Sequence, residues 1–144
     1  MPIRTVLIGS ALLGGCVVLA THAHAQPATV PGLAEWFSVA YDTSTVTISA
    51  RPPGSAQWEQ RFGWSEVTRV CFKSEGFMVS DGIYVFTTQR PESFVIPTEA
   101  RGGAEFWSQI AKRGLFPADL MIKAASLEEG KVLCWPSAGG GSGG

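Results

Sequence analysis

Four groupings of residues in this chain have types that could do chemistry. Gly140-Gly141-Ser142-Gly143-Gly144 has the Gly-x-Ser-x-Gly spelling of a hydrolase nucleophile. That elbow needs a strand before the serine and a helix after it to hold the hydroxyl out, and a glycine run offers neither. A serine activated by lysine would draw on Ser80, Ser93 or Ser108 with Lys73 or Lys112, but no spacing singles out a pair. Two carboxylates across a cleft would do glycosidase-type acid and base work. The candidates are Glu66, Asp81, Glu99 and Glu105, and a turn or a helix start already accounts for each. Metal chemistry has no calcium-loop spelling to use, and the two histidines are His22 and His24, near the start. The sequence therefore predicts no catalytic residue, no metal and no cofactor.

The fourth grouping is the cysteines, and their meaning depends on the first residues. Met1 to Arg4 carries one positive charge, Thr5 to Ala20 is apolar, and Ala23-His24-Ala25 has the small-x-small form of a signal peptidase site. The segment 1–25 is expected to be a secretory signal, cleaved near Ala25/Gln26. Its apolar run is shorter than the roughly 20 residues of a membrane span. Two alternatives stay open: lipidation at Cys16 after Leu13-Gly14-Gly15, and an uncleaved signal acting as an anchor. Against lipidation, Val17 to Ala20 continue the apolar run where a lipoprotein turns polar.

Cleavage removes both histidines and with them the commonest general base and metal ligand. It also removes Arg4, so the net charge of −1 for the whole chain becomes more negative. No basic excess remains to attract nucleic acid or anionic lipid. Cys71 and Cys134 are then the remaining pair of three cysteines, and an even count in an exported chain predicts a disulfide between them. Closing so long a loop stabilises by something on the order of 4 kcal/mol in the chain-entropy model. There is no Cys-x-x-Cys and no helix start beside either residue, which favours a structural bond over a redox-active one. The compartment expected is the periplasm or the exterior.

The elements that position these residues are mostly strands. Phe37, Val39 and Tyr41 alternate, then Val46, Ile48 and Ala50 after the turn residues Asp42-Thr43-Ser44, which is a hairpin pattern. Pro52-Pro53-Gly54 turns the chain into Trp58, Gln60 and Phe62. Val67 to Lys73 is a period-two run whose buried face is ambiguous. Phe77 to Val79, Ile83 to Phe86 and Ser93 to Ile96 complete about seven short strands, and Pro97 ends the series.

A helix is predicted over Ala104 to Arg113, with Gly102-Gly103 before it and Phe106, Trp107, Ile110 and Ala111 on its apolar face. Leu115 and Phe116 would fill the join to a second short helix, Ala118 to Ala125, with a last extended piece at Lys131 to Trp135. The expected organisation is a mobile leader over residues 26–34, a single domain over 35–136 and a mobile Gly-rich tail over 137–144.

Trp64-x-x-Val67-x-x-Val70, Tyr84 to Phe86, the Ile96-Pro97 step and a helix opening Glu105-Phe106 together resemble the YcxB-like group of bacterial pleckstrin-homology-like domains. The resemblance covers Trp58 to Gly114 and rests on apolar spacing. It implies a small antiparallel sandwich or barrel of two orthogonal sheets, capped by the helix at Phe106, and says little of function, because such folds host many binding roles. Pleckstrin-homology domains that bind inositol lipids use a basic first hairpin loop. Here the loop is Asp42-Thr43-Ser44-Thr45, so inositol-lipid headgroup binding is not expected.

Five tryptophans are a generous supply for one small domain. Trp36, Trp58 and Trp135 are the candidates for an exposed contact surface, since such residues anchor interfaces; the competing reading puts them in the core. The function expected is an exported, non-catalytic binding or assembly module of the bacterial cell envelope that contacts another envelope protein. The alternative is a small envelope hydrolase. Carboxylates or a Ser-Lys pair converging in a pocket would favour the enzyme. An exposed apolar patch beside an unpaired sheet edge would favour the module, which could then take an extended peptide by strand addition.

Overall fold

The computed structural model describes residues 31–76 and 79–137. In it the alternating runs pair as the period-two pattern requires: β1 (Phe37–Tyr41) with β2 (Thr45–Ala50), and β2 with β3 (Trp58–Gly63), all antiparallel. The β1–β2 turn closes because the Asp42 carboxylate accepts the N–H groups of Ser44 at 2.8 Å and Thr45 at 2.7 Å, the local bond that favours Asp in turns. A 3-10 turn, Trp64–Glu66, then leads into the second sheet. That sheet is built from β4 (Val67–Lys73), β5 (Gly82–Thr87), β6 (Arg90–Pro97) and β7 (Val132–Trp135), in the spatial order β6-β5-β4-β7. The protein is thus mainly β, with sheets of three and four antiparallel strands and a few helices.

The ambiguous face of β4 is settled by what lies across it. Val70 and Phe72 join Ile83, Val85, Phe94 and Ile96 in the core. The alternate residues Arg69, Cys71 and Lys73 lie on the outer face.

Two sequence expectations are corrected. Phe77 to Val79 is not a strand where it is described: Val79 is exposed in a bend, its N–H donating to Gly76 O at 3.3 Å, and residues 77–78 lie outside the described residues. The reason lies just before it, where Ser74 bonds the backbone of Gly130 and Lys131 instead of continuing into a hairpin. The seventh strand is β7, the last extended piece. Second, a short helix α1 (Leu33–Trp36) precedes the first strand, so the first element begins inside the segment expected to be a mobile leader. The Glu35 N–H donates to Gly32 O at 2.9 Å, and its carboxylate accepts the Gly32 N–H at 3.1 Å, so one residue closes the turn twice.

Helix α2 (Gly103–Lys112) fills the space between the sheets with adjacent aromatic residues. Phe106 stacks on Trp64 at 5.6 Å, and Trp107 packs on Phe72 at 5.3 Å and on Phe116 at 5.0 Å. Phe106, Ile110 and Phe116 are fully buried, as expected of a helix face and its join. Helix α3 (Ala118–Ala124) follows and buries Ala124.

The start of α2 is where the two sheets are joined a second time. The Val39 N–H donates to Arg101 O at 2.9 Å and the Arg101 N–H to Phe37 O at 3.0 Å, so the segment leaving β6 lies along the edge of β1. Gly102 has φ +81, and a Cβ there would stand 2.3 Å from Val39 O; one on Gly103 would stand 2.4 Å from Thr98 O.

Gly103→Ala is therefore expected to destabilise by about 1–3 kcal/mol, the range for forcing an atom into a filled site, and Gly102→Ala by at least as much because its φ adds strain. Urea unfolding of each variant measures this; an unchanged midpoint for both would show that the sheets can part at this point freely.

Candidate functional site

β7 is the shortest strand, and it is held covalently. Cys71 and Cys134 are direct partners in the β4–β7 register, and a disulfide joins them across Cα atoms 4.0 Å apart and 63 positions apart in sequence. The expected bond is present and pins the last strand onto the sheet. Alternation from the Ser74 N–H to Lys131 O bond of 3.1 Å makes Phe72 and Val70 the residues that exchange hydrogen bonds with β7. The N–H and C=O groups of Val132 and Cys134 then point away from β4. Among the described residues no backbone hydrogen bond reaches that outer edge.

Beside the edge runs a groove of about 500 Å3, lined by Arg69, Leu120, Val132, Leu133 and Trp135 among others. A smaller cavity of about 100 Å3 on the other side of Trp135, against Gly114 and Leu115, shares Arg69 and Trp135 with it. Trp135 is 43% exposed and Val132 49%.

Among the described residues Arg69 is the one charged side chain in this groove. It follows a register shift between Val67 and Arg69, and a bulge of this kind re-aims the residue next to it. Among the described residues its Nε is buried without a hydrogen-bond partner and Arg69 makes no ion pair. A buried donor left unpaired costs about 1–3 kcal/mol, more when it is charged. Sequence reading passed over Arg69 because it is one polar residue in an alternating strand, with nothing local to mark it.

No family model, curated protein or solved structure matches this chain.

The residues that sequence reading weighed for catalysis are dispersed. The Ser80 hydroxyl donates to the neighbouring Asp81 O at 3.3 Å and accepts the N–H of Glu99, 19 residues on, at 3.1 Å, tying two loops together. The Ser93 carbonyl accepts from Arg90 at 3.2 Å. Ser108 and Lys112 share a groove of about 320 Å3 with Glu105, all three exposed on α2. Glu66 accepts the Gly63 N–H and the Gln89 amide, and Asp81 accepts the Glu75 N–H at 3.0 Å; these are structural duties. Glu99 is exposed. The Gly140–Gly144 spelling lies outside the described residues. Among the described residues no three His, Cys, Asp or Glu side chains stand close enough to hold a metal ion.

The tryptophans divide. Trp58 is 38% exposed and packs edge-on to Phe37 at 5.7 Å. Trp36 is half-buried against the same ring at 6.0 Å and lines a cavity of about 150 Å3 with Ala50 and Arg51. Trp135 lines a different groove, so the three form no single surface. Near the first hairpin loop Arg113 is already engaged: it lies over the Trp64 ring at 4.1 Å and donates to the carbonyls of Asp42 and Thr43.

A charged cluster does lie on the outer face of the second sheet. Lys73 Nζ is 2.8 Å from Glu75 Oε1, and the Tyr84 hydroxyl donates to the same oxygen at 3.2 Å. The Lys73 hydrogen bond holds Glu75 below the usual carboxylate range, and the bond to Glu75 raises Lys73. Burial first, and then Glu75, raise Tyr84. Each shift moves its group further from neutral pH, where general acid–base chemistry needs it least.

The pH dependence follows in sign. Glu75, depressed in the folded state, contributes stability above its unfolded value that is lost as pH falls through its folded one; the Lys73 contribution is complete below its unfolded value and lost as pH rises through its raised one. NMR titration should find both shifts. Glu75→Gln should abolish that of Lys73 and lower the Tyr84 value only in part, because burial persists; full return of Tyr84 to an ordinary value would contradict this ordering.

Proposed function

We propose that this chain is an exported binding module that takes an extended segment of another envelope protein as an added strand on the edge of β7. The observation that carries this reading is the state of the four sheet edges. β1 is covered by the Arg101 backbone. β3 carries the exposed pair Glu59 and Arg61, 2.7 Å apart, and charge on an edge discourages pairing. β6 contains Pro91 and Pro97, which cannot complete a ladder. β7 reads Val-Leu-Cys-Trp, with neither charge nor proline, and what blunts it is its length.

Strand addition draws affinity from main-chain hydrogen bonds and specificity from pockets beside the edge. The β7 edge has outward N–H and C=O groups on Val132 and Cys134 and a groove alongside, flanked by Leu120 and Trp135. Export is supported by the signal-like segment 1–25 and by the disulfide, a bond that persists in oxidising compartments. Among the described residues no helix is long and apolar enough to cross a membrane. The pleckstrin-homology-like resemblance suits a binding role and supplies no chemistry of its own.

The test uses the full, oxidised chain and a library of threonine- and valine-rich octapeptides with amidated ends. Binding peptides should slow hydrogen exchange at the Val132 and Cys134 amides and perturb Trp135 fluorescence. Val132→Pro removes an outward N–H without touching the β4 ladder, and should weaken binding about ten-fold or more with thermal stability little changed. Val132→Lys is the second variant, blocking the edge by charge. Peptides that bind equally well to both variants, or that protect another strand, would overturn the site.

A further inference from the structure

We infer that the segment added to β7 carries a glutamate whose carboxylate is bound by Arg69. This rests on the strand-addition reading and specifies what the added strand must contain. Arg69 lines the groove along the β7 edge, and the other side chains named there, Leu120, Val132, Leu133 and Trp135, are uncharged. Its Nε is buried and, among the described residues, unpartnered. A guanidinium cannot relieve such burial by losing its proton. A carboxylate accepts two parallel N–H bonds from a guanidinium, and on the added strand it would meet the two terminal nitrogens, which unlike Nε are not among the buried unpartnered donors.

The geometry selects a long acidic side chain. Arg69 belongs to β4 and β7 lies between it and any added strand, so two strand spacings of about 4.8 Å must be bridged. Arg69 sits on the outer face with Cys71 and Cys134, so the glutamate must point to that face of the added strand. A second copy of this chain fits poorly as the occupant, because pairing β7 with β7 would bring a second Arg69 to the same edge. The chain is net negative, so long-range attraction does not favour an acidic partner, and recognition must come from the local pair.

The experiment uses matched octapeptides from the same threonine- and valine-rich series, each with one glutamate or one glutamine at the same position. With the full, oxidised chain, one glutamate register should bind about ten-fold tighter than its glutamine counterpart. On Arg69→Gln that advantage should fall to within about two-fold, while the glutamine peptide binds both proteins alike. Arg69→Lys, which keeps the charge without the fork, should fall between and serves if Arg69→Gln does not fold. Equal binding of the two peptides with Val132 and Cys134 still protected would overturn the role of Arg69 and leave strand addition standing. A glutamate advantage that survives in both Arg69 variants would also overturn it. No binding by any peptide in either series would remove the strand-addition reading and this inference with it.

Discussion

The fold depends on a close backbone approach that only glycine permits. Gly102 and Gly103 let the chain leave β6, lie against β1 and enter α2 within a few residues, with Val39 O and Thr98 O where side chains would otherwise be. Among the described residues the two sheets share no ladder, and the chain passes from one to the other at the 3-10 turn at Trp64. Fixing the start of α2 against β1 therefore fixes the angle at which the helix enters the gap. Phe106 then meets Trp64 at the head of the second sheet, and Trp107 meets Phe72 within it. One helix turn thereby bridges two sheets that would each be only half-buried alone.

The position of β7 follows from that helix by a longer route. After α2 the chain passes Phe116, which is fully buried, and α3, and returns to β4 with four residues of strand. So short a strand has few ladder bonds to hold it, and its ring-closing contact with β4 spans most of the domain. The Cys71–Cys134 bond removes much of the entropy of opening that ring, so an edge strand can stay in place while its outer side remains unpaired. Stability here comes from the crosslink, and the exposed edge is the part it leaves free.

Much of this was legible locally. Alternation at Phe37, Val46 and Trp58 and the Asp-Thr-Ser and Pro-Pro-Gly breaks between them located the strands, and Gly102-Gly103 and Pro117 located the helices to within a residue or so. Cysteine counting found the disulfide. What local pattern could not convey was pairing between distant segments. Val67 to Lys73 alternates equally well in either sense, and only α2, some 35 residues on, determines that Phe72 faces inward. Phe77 to Val79 looked like a strand because it is apolar, but the backbone of Ser74 is taken by Gly130 and Lys131. Trp36, Trp58 and Trp135 looked alike in sequence; the fold sets Trp36 and Trp58 against Phe37 and sends Trp135 to the groove beside β7. Arg69 stood out only once Trp135 had been brought beside it.

The proposed strand-edge site would also account for residue types being a poor guide to function. The groups that would bind an added strand are backbone N–H and C=O, which nearly every residue carries. Such a site has no spelling of its own. Its signature is the lack of the devices that blunt other edges, and that lack can be recognised only after the edges are known. In β1, β3 and β6 the devices are a covering segment, a charge pair and two prolines; in Val132 to Trp135 none of these occurs. The side chain proposed to lend specificity, Arg69, comes from the neighbouring strand, so on this reading even the specificity of the edge would be written elsewhere in the chain.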